Sequence, residues 1–335
     1  MAAWYAQLYS IPFKIYDKGA LGSATAVSSG IINPVTGHRF VKTWMFKELL
    51  GEATIAYEGI ARQLNKTIIR QLPIWRHLPD IQAENIWASR SIDAHYEGLL
   101  STPERSTWPK KYYAEAHAWG IANQGYVIDT VRLLVGLRAA WEKAGHLKDD
   151  EVDLGNLVVD GPMFIYESEE YTDVIIATGW RGMSNQYFDS EAYHPAKGEA
   201  LICRIPEFYD DRLIKYKKFI VPQGDGLYWV GSNYQHGFDN DLPDRAGRRQ
   251  LEEWLRDEVG VRYEVTDHLS GIRAATKYRR PFVGKHPRYD GLYLLNGLGT
   301  KGISLAPYFA RKIIESISSD VAIEETSAFK KAFHI

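Results

Sequence analysis

The sequence predicts a mixed α/β chain whose two ends share a parallel-stranded layer while its middle forms an antiparallel one. Three observations carry this. Asp173-Val174-Ile175-Ile176-Ala177-Thr178-Gly179 is a β-branched run ending in a turn, the pattern of a parallel strand covered on both faces. Leu292-Tyr293-Leu294-Leu295-Asn296 leads through the glycine-rich stretch Gly297 to Gly302 into an apolar helix from Ile303 to Ile317. Between them, Ala200 to Ile205, Phe219 to Pro222 and Leu227 to Gly231 alternate like neighbouring antiparallel strands. A chain of 335 residues exceeds the usual size of one hydrophobic core, so two layers exchanging the chain are expected.

The remaining elements follow in order. Ala2 to Tyr9 has helical propensity without an N-cap, and Pro12 closes it before the short strand Phe13 to Asp17. The chain thus opens like the second half of a βαβ unit. Gly19 to Gly30 is a loop of small residues. Met45, Leu49, Ile55 and Ile60 are spaced for a helix from Thr43 to about Leu64. Ile68 to His77 reads as a strand, Asp80 to Ser91 as a helix and Ser101 to Lys110 as a loop. Asp129 caps a helix ending at Gly145, with Val131, Leu134, Val135 and Leu137 as its apolar face. Leu157 to Val159 and Met163 to Tyr166 flank Asp160-Gly161 as a hairpin, and Pro243 to Val259 reads as a helix.

Composition narrows the function. The net charge of −2 offers no surface for nucleic acid or anionic membrane. No apolar run approaches a membrane span, and the N-terminus lacks signal-peptide features. The single cysteine, Cys203, excludes an intramolecular disulfide and fits a reducing compartment, so the cytoplasm is expected. It sits in an apolar strand, which marks an inert core thiol. Ten Trp and 21 Tyr point to flat amphipathic surfaces beside a core; Tyr126, Tyr228, Tyr234 and Tyr278 are the pocket candidates. No metal-ligand cluster emerges.

The chemistry-bearing features are backbone cradles. Asp17 ends a strand, where dinucleotide-binding units place an acid on the adenosine ribose. The glycine fingerprint that should precede it by about 20 residues is missing. Gly22 to Gly30 has almost no bulky side chains, so a flat ligand and its phosphates can approach the backbone. Ala177-Thr178-Gly179 would sit at the carboxyl edge of the sheet, where open α/β folds bind ligands. Gly297 to Gly302 offers a helix N-terminus to an electron-rich ring edge.

Taken together, Ser28-Ser29-Gly30-Ile31-Ile32-Asn33-Pro34-Val35-Thr36-Gly37, Ala177-Thr178-Gly179, Gly271-Ile272-Arg273, Arg280-Pro281-Phe282-Val283-Gly284 and Gly297 to Pro307 resemble the D-amino-acid oxidase/glycine oxidase family of FAD-dependent oxidoreductases, in order and over essentially the whole chain. The resemblance implies a Rossmann-like FAD unit of residues 1–50, 125–190 and 265–335, joined to an antiparallel-sheet substrate unit of residues 51–124 and 191–264. It implies that Asp17 binds the ribose, that Ser23, Ala24, Ser29, Gly30 and Ile31 line the pyrophosphate and flavin, and that Val152 lies near the adenine. Ala177, Thr178 and Gly179 would form the ligand-facing turn. Gly299, Thr300, Lys301, Gly302 and Ile303 would hold the pyrimidine edge, with Lys301 stabilising charge on the reduced ring. Arg273 would pair with a substrate carboxylate, for which its fork is suited.

The activity implied is oxidation of a small amine or amino acid to an imine, by hydride transfer to flavin N5 with oxygen or another acceptor taking the electrons. Positioning supplies most of the rate, and no general base is nominated. The covalently flavinylated branch uses a cysteine near the C-terminal block; none occurs here, which favours non-covalent FAD. Relatives open with a strand and a Gly-x-Gly-x-x-Gly turn, whereas this chain opens in the next helix. That implies an absent phosphate cradle, with a start codon placed too far downstream or a truncation as the simplest account; if the chain is truly this short, weak FAD binding and an exposed sheet edge are expected. The alternatives are a fold-retaining homologue that binds flavin poorly and a flavin domain acting on a modified tRNA base. The near-neutral charge weighs against the second. A nicotinamide dehydrogenase would not need the closing Gly297–Pro307 block.

Overall fold

The computed structural model describes residues 1–19, 23–105, 117–206, 208, 212–319 and 321–334. Its largest element is a seven-stranded sheet in the order Glu264–Arg273, Ala196–Arg204, Leu227–Gly231, Lys218–Gly224, Leu213–Tyr216, Ile74–Leu78, Ala118–Ala122. Neighbours run antiparallel except Leu213–Tyr216 against Ile74–Leu78. Alternation along the strands makes both faces apolar. Ala200, Leu213, Val221, Trp229 and Ile74 face the main core. Leu201, Cys203, Ile214, Ile220 and Val230 face a second core closed by Leu251, Trp254 and Leu255. Fully burying each large apolar side chain stabilises by about 1.5–3 kcal/mol.

Parallel pairs come from distant segments, as predicted. Val174–Ile176 runs parallel to Leu292–Asn296, with Phe282–Lys285 antiparallel on the far side. Ile15–Tyr16 runs parallel to Leu147–Lys148. A smaller antiparallel sheet joins Ile31–Ile32, Tyr126–Ile128 and Ile69–Gln71. Helices Ala2–Leu8, Phe46–Leu64 and Gly302–Ser319 pack together. The Tyr57 hydroxyl donates to the Ile303 carbonyl at 2.8 Å. The buried Glu52 carboxylate accepts from Tyr5 and pairs with Arg311 at 2.7 Å, so this charge enters the core with its hydrogen bonds made.

Several expectations are corrected. Pro73 interrupts the expected strand Ile68 to His77, giving Ile69–Gln71 and Ile74–Leu78 because proline cannot donate to a ladder. In the helix Thr130–Lys143, the Asp129 carboxylate accepts from the Arg132 amide at 2.8 Å, as a cap should. Its buried face, however, is Thr130, Leu133, Leu137 and Trp141, while Val131 and Val135 are exposed. Ile55 likewise faces outward. The helix expected from Pro243 to Val259 is Arg245–Glu253 followed by a wider turn over Trp254–Val259. Residues 264–273 form an edge strand of the large sheet, whereas the sequence placed 265–273 with the first unit. The helix Phe46–Leu64, placed mostly with the second unit, packs on Gly302–Ser319. Strands Ala118–Ala122, Tyr126–Ile128 and Glu169–Tyr171 and the helix Ser327–Phe333 were not anticipated. Residues 20–22, in the small-residue loop, and 106–110, in the expected loop Ser101 to Lys110, lie outside the described residues.

Candidate active site

The small-residue segment and the closing glycine turn meet around the end of one strand, Glu264–Arg273. Gly271 faces the first: a Cβ there would lie 2.5 Å from Val27 Cγ2 and 3.4 Å from Ala24 Cα. Two residues beyond Gly271 comes Arg273, and the next carbonyl, Ala274, accepts from the Gly299 amide at 2.9 Å. Trp229 of the large sheet donates through Nε1 to the Val27 carbonyl at 3.0 Å. The segment holds itself by short turns: the Ala26 amide donates to Ser23 Oγ, and Ser28 Oγ to the Thr25 carbonyl. Ser29 is half-buried beside them. Gly30 has φ +70°, and a Cβ there would lie 1.9 Å from the Ile128 carbonyl oxygen, so only glycine fits. Ile31, Leu298 and Ile303 all pack on the main core.

Arg273 lies flat across the sheet. It occupies the space above Gly198, where a Cβ would come within 1.8 Å of Nη2. Nη2 donates to Ser232 Oγ at 2.7 Å, and the guanidinium stacks 5.0 Å from the Tyr234 ring centroid. Among the described residues no carboxylate pairs with it. Burial lowers its pKa, partly opposed by Tyr234. Lys301 is similar: burial lowers its pKa and nearby Arg280, stacked on Trp44, adds to the effect. Thr300 is exposed, and Gly302 opens the helix.

The turn Ala177-Thr178-Gly179 packs beside the strand Leu292–Asn296: Asn296 Nδ2 donates to the Gly179 carbonyl at 2.9 Å. Thr178 Oγ1 is buried without a partner, a hydroxyl awaiting an acceptor or donor. Ala177 is exposed. Asp17 lies on the Ile15–Tyr16 side, ion-paired with Arg138, and its Oδ1 also accepts from the Gly19 amide at 3.1 Å. Arg138 further pairs with Asp149 at 3.1 Å. Val152 follows Glu151, whose carboxylate meets Lys18 at 2.7 Å, so Asp17 and Val152 occupy one neighbourhood. Of the candidate tyrosines, Tyr234 touches Arg273. Tyr228 is buried and donates to the Phe208 carbonyl, Tyr126 pairs with Ile32, and the exposed Tyr278 meets the buried Phe282 edge-on. Sequence reasoning missed Ser232, Trp229, Gly198 and Arg138; none lies in a local pattern.

The cradle at Gly271 and Gly299, the orphaned Thr178 hydroxyl and two cations without acids suit a flat ring joined to a phosphate-bearing tail. The model for "FAD dependent oxidoreductase" (DAO) matches residues 1–316. A glycine oxidase from Pseudomonas aeruginosa is 25% identical, over 95% of this chain and 91% of its own. By structure, glycine oxidase from Geobacillus kaustophilus aligns with a TM-score of 0.80 at 16% identity, covering 98% of this chain and 94% of that one. Iminodiacetate oxidase from Chelativorans sp. BNC1 aligns at 0.76 and 17% identity, covering 96% and 93%. The fold and site define a flavin-dependent oxidoreductase. The chain belongs to the DAO family of FAD-dependent oxidoreductases.

Proposed function

We propose that this chain oxidises the C–N bond of a small amino acid or N-substituted amino acid to the imine, with FAD bound non-covalently. The observation that carries the substrate class is Arg273: a half-buried guanidinium, braced by Ser232 and Tyr234, with no carboxylate beside it among the described residues. Leaving a desolvated cation unpaired is costly, and a substrate carboxylate removes that cost through a bidentate pair. Two similar proteins are named for glycine and iminodiacetate, compounds in which an amine stands one carbon from a carboxylate.

In this reading Arg273 anchors the carboxylate and thereby fixes the Cα–H, so positioning does the catalytic work. FAD, when bound, supplies the hydride acceptor. Ser23, Ala24, Ser29, Gly30 and Ile31 line its pyrophosphate and ring, Asp17 meets the ribose with Arg138 holding its carboxylate, and Val152 lies by the adenine. Thr178, in the Ala177–Gly179 turn, offers its unpaired hydroxyl. Gly299, Thr300, Lys301, Gly302 and Ile303 flank the pyrimidine edge, where Lys301 and the helix end favour negative charge. Oxygen or another acceptor takes the electrons, and the cytoplasm suits a chain whose single thiol is buried. No described helix is long and apolar enough to cross a membrane.

The test is a panel of amino acids and N-methyl amino acids with added FAD, read by peroxide release and by reduction of an artificial acceptor. The wild type turns over at least one of them, and Arg273→Ala loses about 10–150-fold in kcat/KM, the 1.5–3 kcal/mol of a charged hydrogen bond. Equal rates in both proteins refute the anchor.

A further inference from the structure

Four and five strands away from Arg273, the same sheet face carries two neighbouring cations, Lys215 and Arg76. Arg76 and Lys215 are direct partners across the parallel pair Ile74–Leu78 and Leu213–Tyr216. Partners in this register project to one face, with strands about 4.8 Å apart. Arg76 Nη2 donates to the Gly37 carbonyl at 3.2 Å, and its guanidinium stacks 5.4 Å from the Phe40 ring centroid. Lys215 Nζ lies 4.2 Å from the Phe219 centroid and donates to the Lys217 carbonyl. Both side chains are half-buried. Gly37 and Phe40 belong to the turn between Val35–Thr36 and Val41–Lys42, whose tip holds the exposed His38 and Arg39.

No carboxylate among the described residues pairs with Arg76 or Lys215. The charges acting on Lys215 are positive, Arg76 from the neighbouring strand and Lys218 from the next, while Glu258 is engaged by Lys217 at 2.5 Å. Burial, then Arg76, then Lys218 push the Lys215 ammonium down to about 7, and burial pushes Arg76 to about 10. Two like charges seated side by side on aromatic rings are expensive unless something answers them.

We propose that Arg76 and Lys215 form a binding site for a dianionic oxyanion, the phosphate group of a small molecule or free phosphate, bridging the two strands under the Gly37–Phe40 turn. The strand spacing suits a single tetrahedral anion, one edge on the Arg76 fork and another oxygen on Lys215. The site is independent of the amine-oxidation reading, because it uses none of the residues placed around FAD. Binding of the dianion favours the charged ammonium, so Lys215 takes up a proton at and above neutral pH and the dianion itself binds more tightly as pH falls.

The experiment is calorimetric titration of inorganic phosphate into FAD-saturated protein at pH 6.5 and pH 8.5 and constant ionic strength, in buffers of differing ionisation heat, with glycerol phosphate and acetate as parallel ligands. The expected result is saturable phosphate binding whose affinity, counted per dianion because phosphate also titrates in this range, is at least about fivefold weaker at pH 8.5, with net proton uptake there. Acetate gives no saturable heat, and binding falls at least tenfold in Arg76→Met and in Lys215→Met. Lys215→Arg retains binding and loses the per-dianion pH dependence, which separates the charge from a folding defect. Glycerol phosphate binding like phosphate identifies an ester as the source; phosphate alone identifies the free ion. Absence of phosphate binding, or binding unchanged in Lys215→Met and Arg76→Met, overturns the proposal. So does unaltered pH dependence in Lys215→Arg.

Discussion

Gly198→Ala displaces Arg273 without altering it. A Cβ at Gly198 would stand 1.8 Å from Arg273 Nη2, whereas ordinary contact needs about 3.5 Å. The guanidinium must therefore move by roughly 1.7 Å, which breaks its 2.7 Å bond to Ser232 Oγ. The backbone tolerates the change: Gly198 is a strand residue outside the positive-φ region, and alanine there limits the unfolded chain slightly more than glycine does. What is lost is the aim of a charged hydrogen-bonding pair, worth about 1.5–3 kcal/mol, or about 10–150-fold in kcat/KM for amino acids. Steady-state kinetics on an amino acid and on the corresponding amine without a carboxylate separate the effects. The amino acid should lose that factor with kcat falling as well as KM rising, the amine should change less than about threefold, and the urea midpoint should not fall. An amino-acid kcat/KM equal to wild type would refute the placement of Arg273 above Gly198 as the carboxylate anchor.

Three further outcomes follow from burial and backbone geometry. Gly30→Ala forces a side chain into left-handed backbone against the Ile128 carbonyl; it should cost at least about 2 kcal/mol in urea unfolding and weaken FAD binding measured by fluorescence. Burial holds His77 down at about 4 against an ordinary 6.5, so the unfolded state takes the proton first. Stability is full above about pH 6.5 and declines as pH falls toward 4, on the order of 1–2 kcal/mol for this group; His77→Phe should flatten that decline in urea melts. Burial pushes the Cys203 thiol up to about 12, so a disulfide reagent at pH 8 should label it only as fast as the protein unfolds.

Elements with strong local signals were legible in the sequence. The run Val174-Ile175-Ile176 announced a strand, and it pairs in parallel with Leu292–Asn296; it lies at the edge of its sheet, however, with only Ile176 fully buried. Asp129 and Asp80 each cap the helix they precede. The edge strand Glu264–Arg273 was not legible, because Glu264, Thr266, Asp267 and His268 interrupt its alternation; long-range pairing with Ala196–Arg204 sets it. Val131 and Val135 misled because apolar spacing names a stripe without saying which flank meets the core. At the site, glycine blocks advertise themselves locally. Ser232, Gly198 and Arg138 act through neighbours 41, 75 and 121 positions away, and no window of sequence contains both partners.

In the proposed site, Ser23–Ile31 and Gly299–Ile303 close on one flavin beside Arg273. This arrangement is tested most directly by recording the visible spectrum of the FAD-loaded protein during anaerobic addition of glycine and its N-substituted analogues. The expected spectrum shows a bound-flavin band whose chromophore is released on acid precipitation and which bleaches with at least one of these substrates in wild type, far more slowly in Arg273→Ala. A protein that leaves saturating FAD free in solution, or whose band bleaches equally with Arg273 removed, would contradict it.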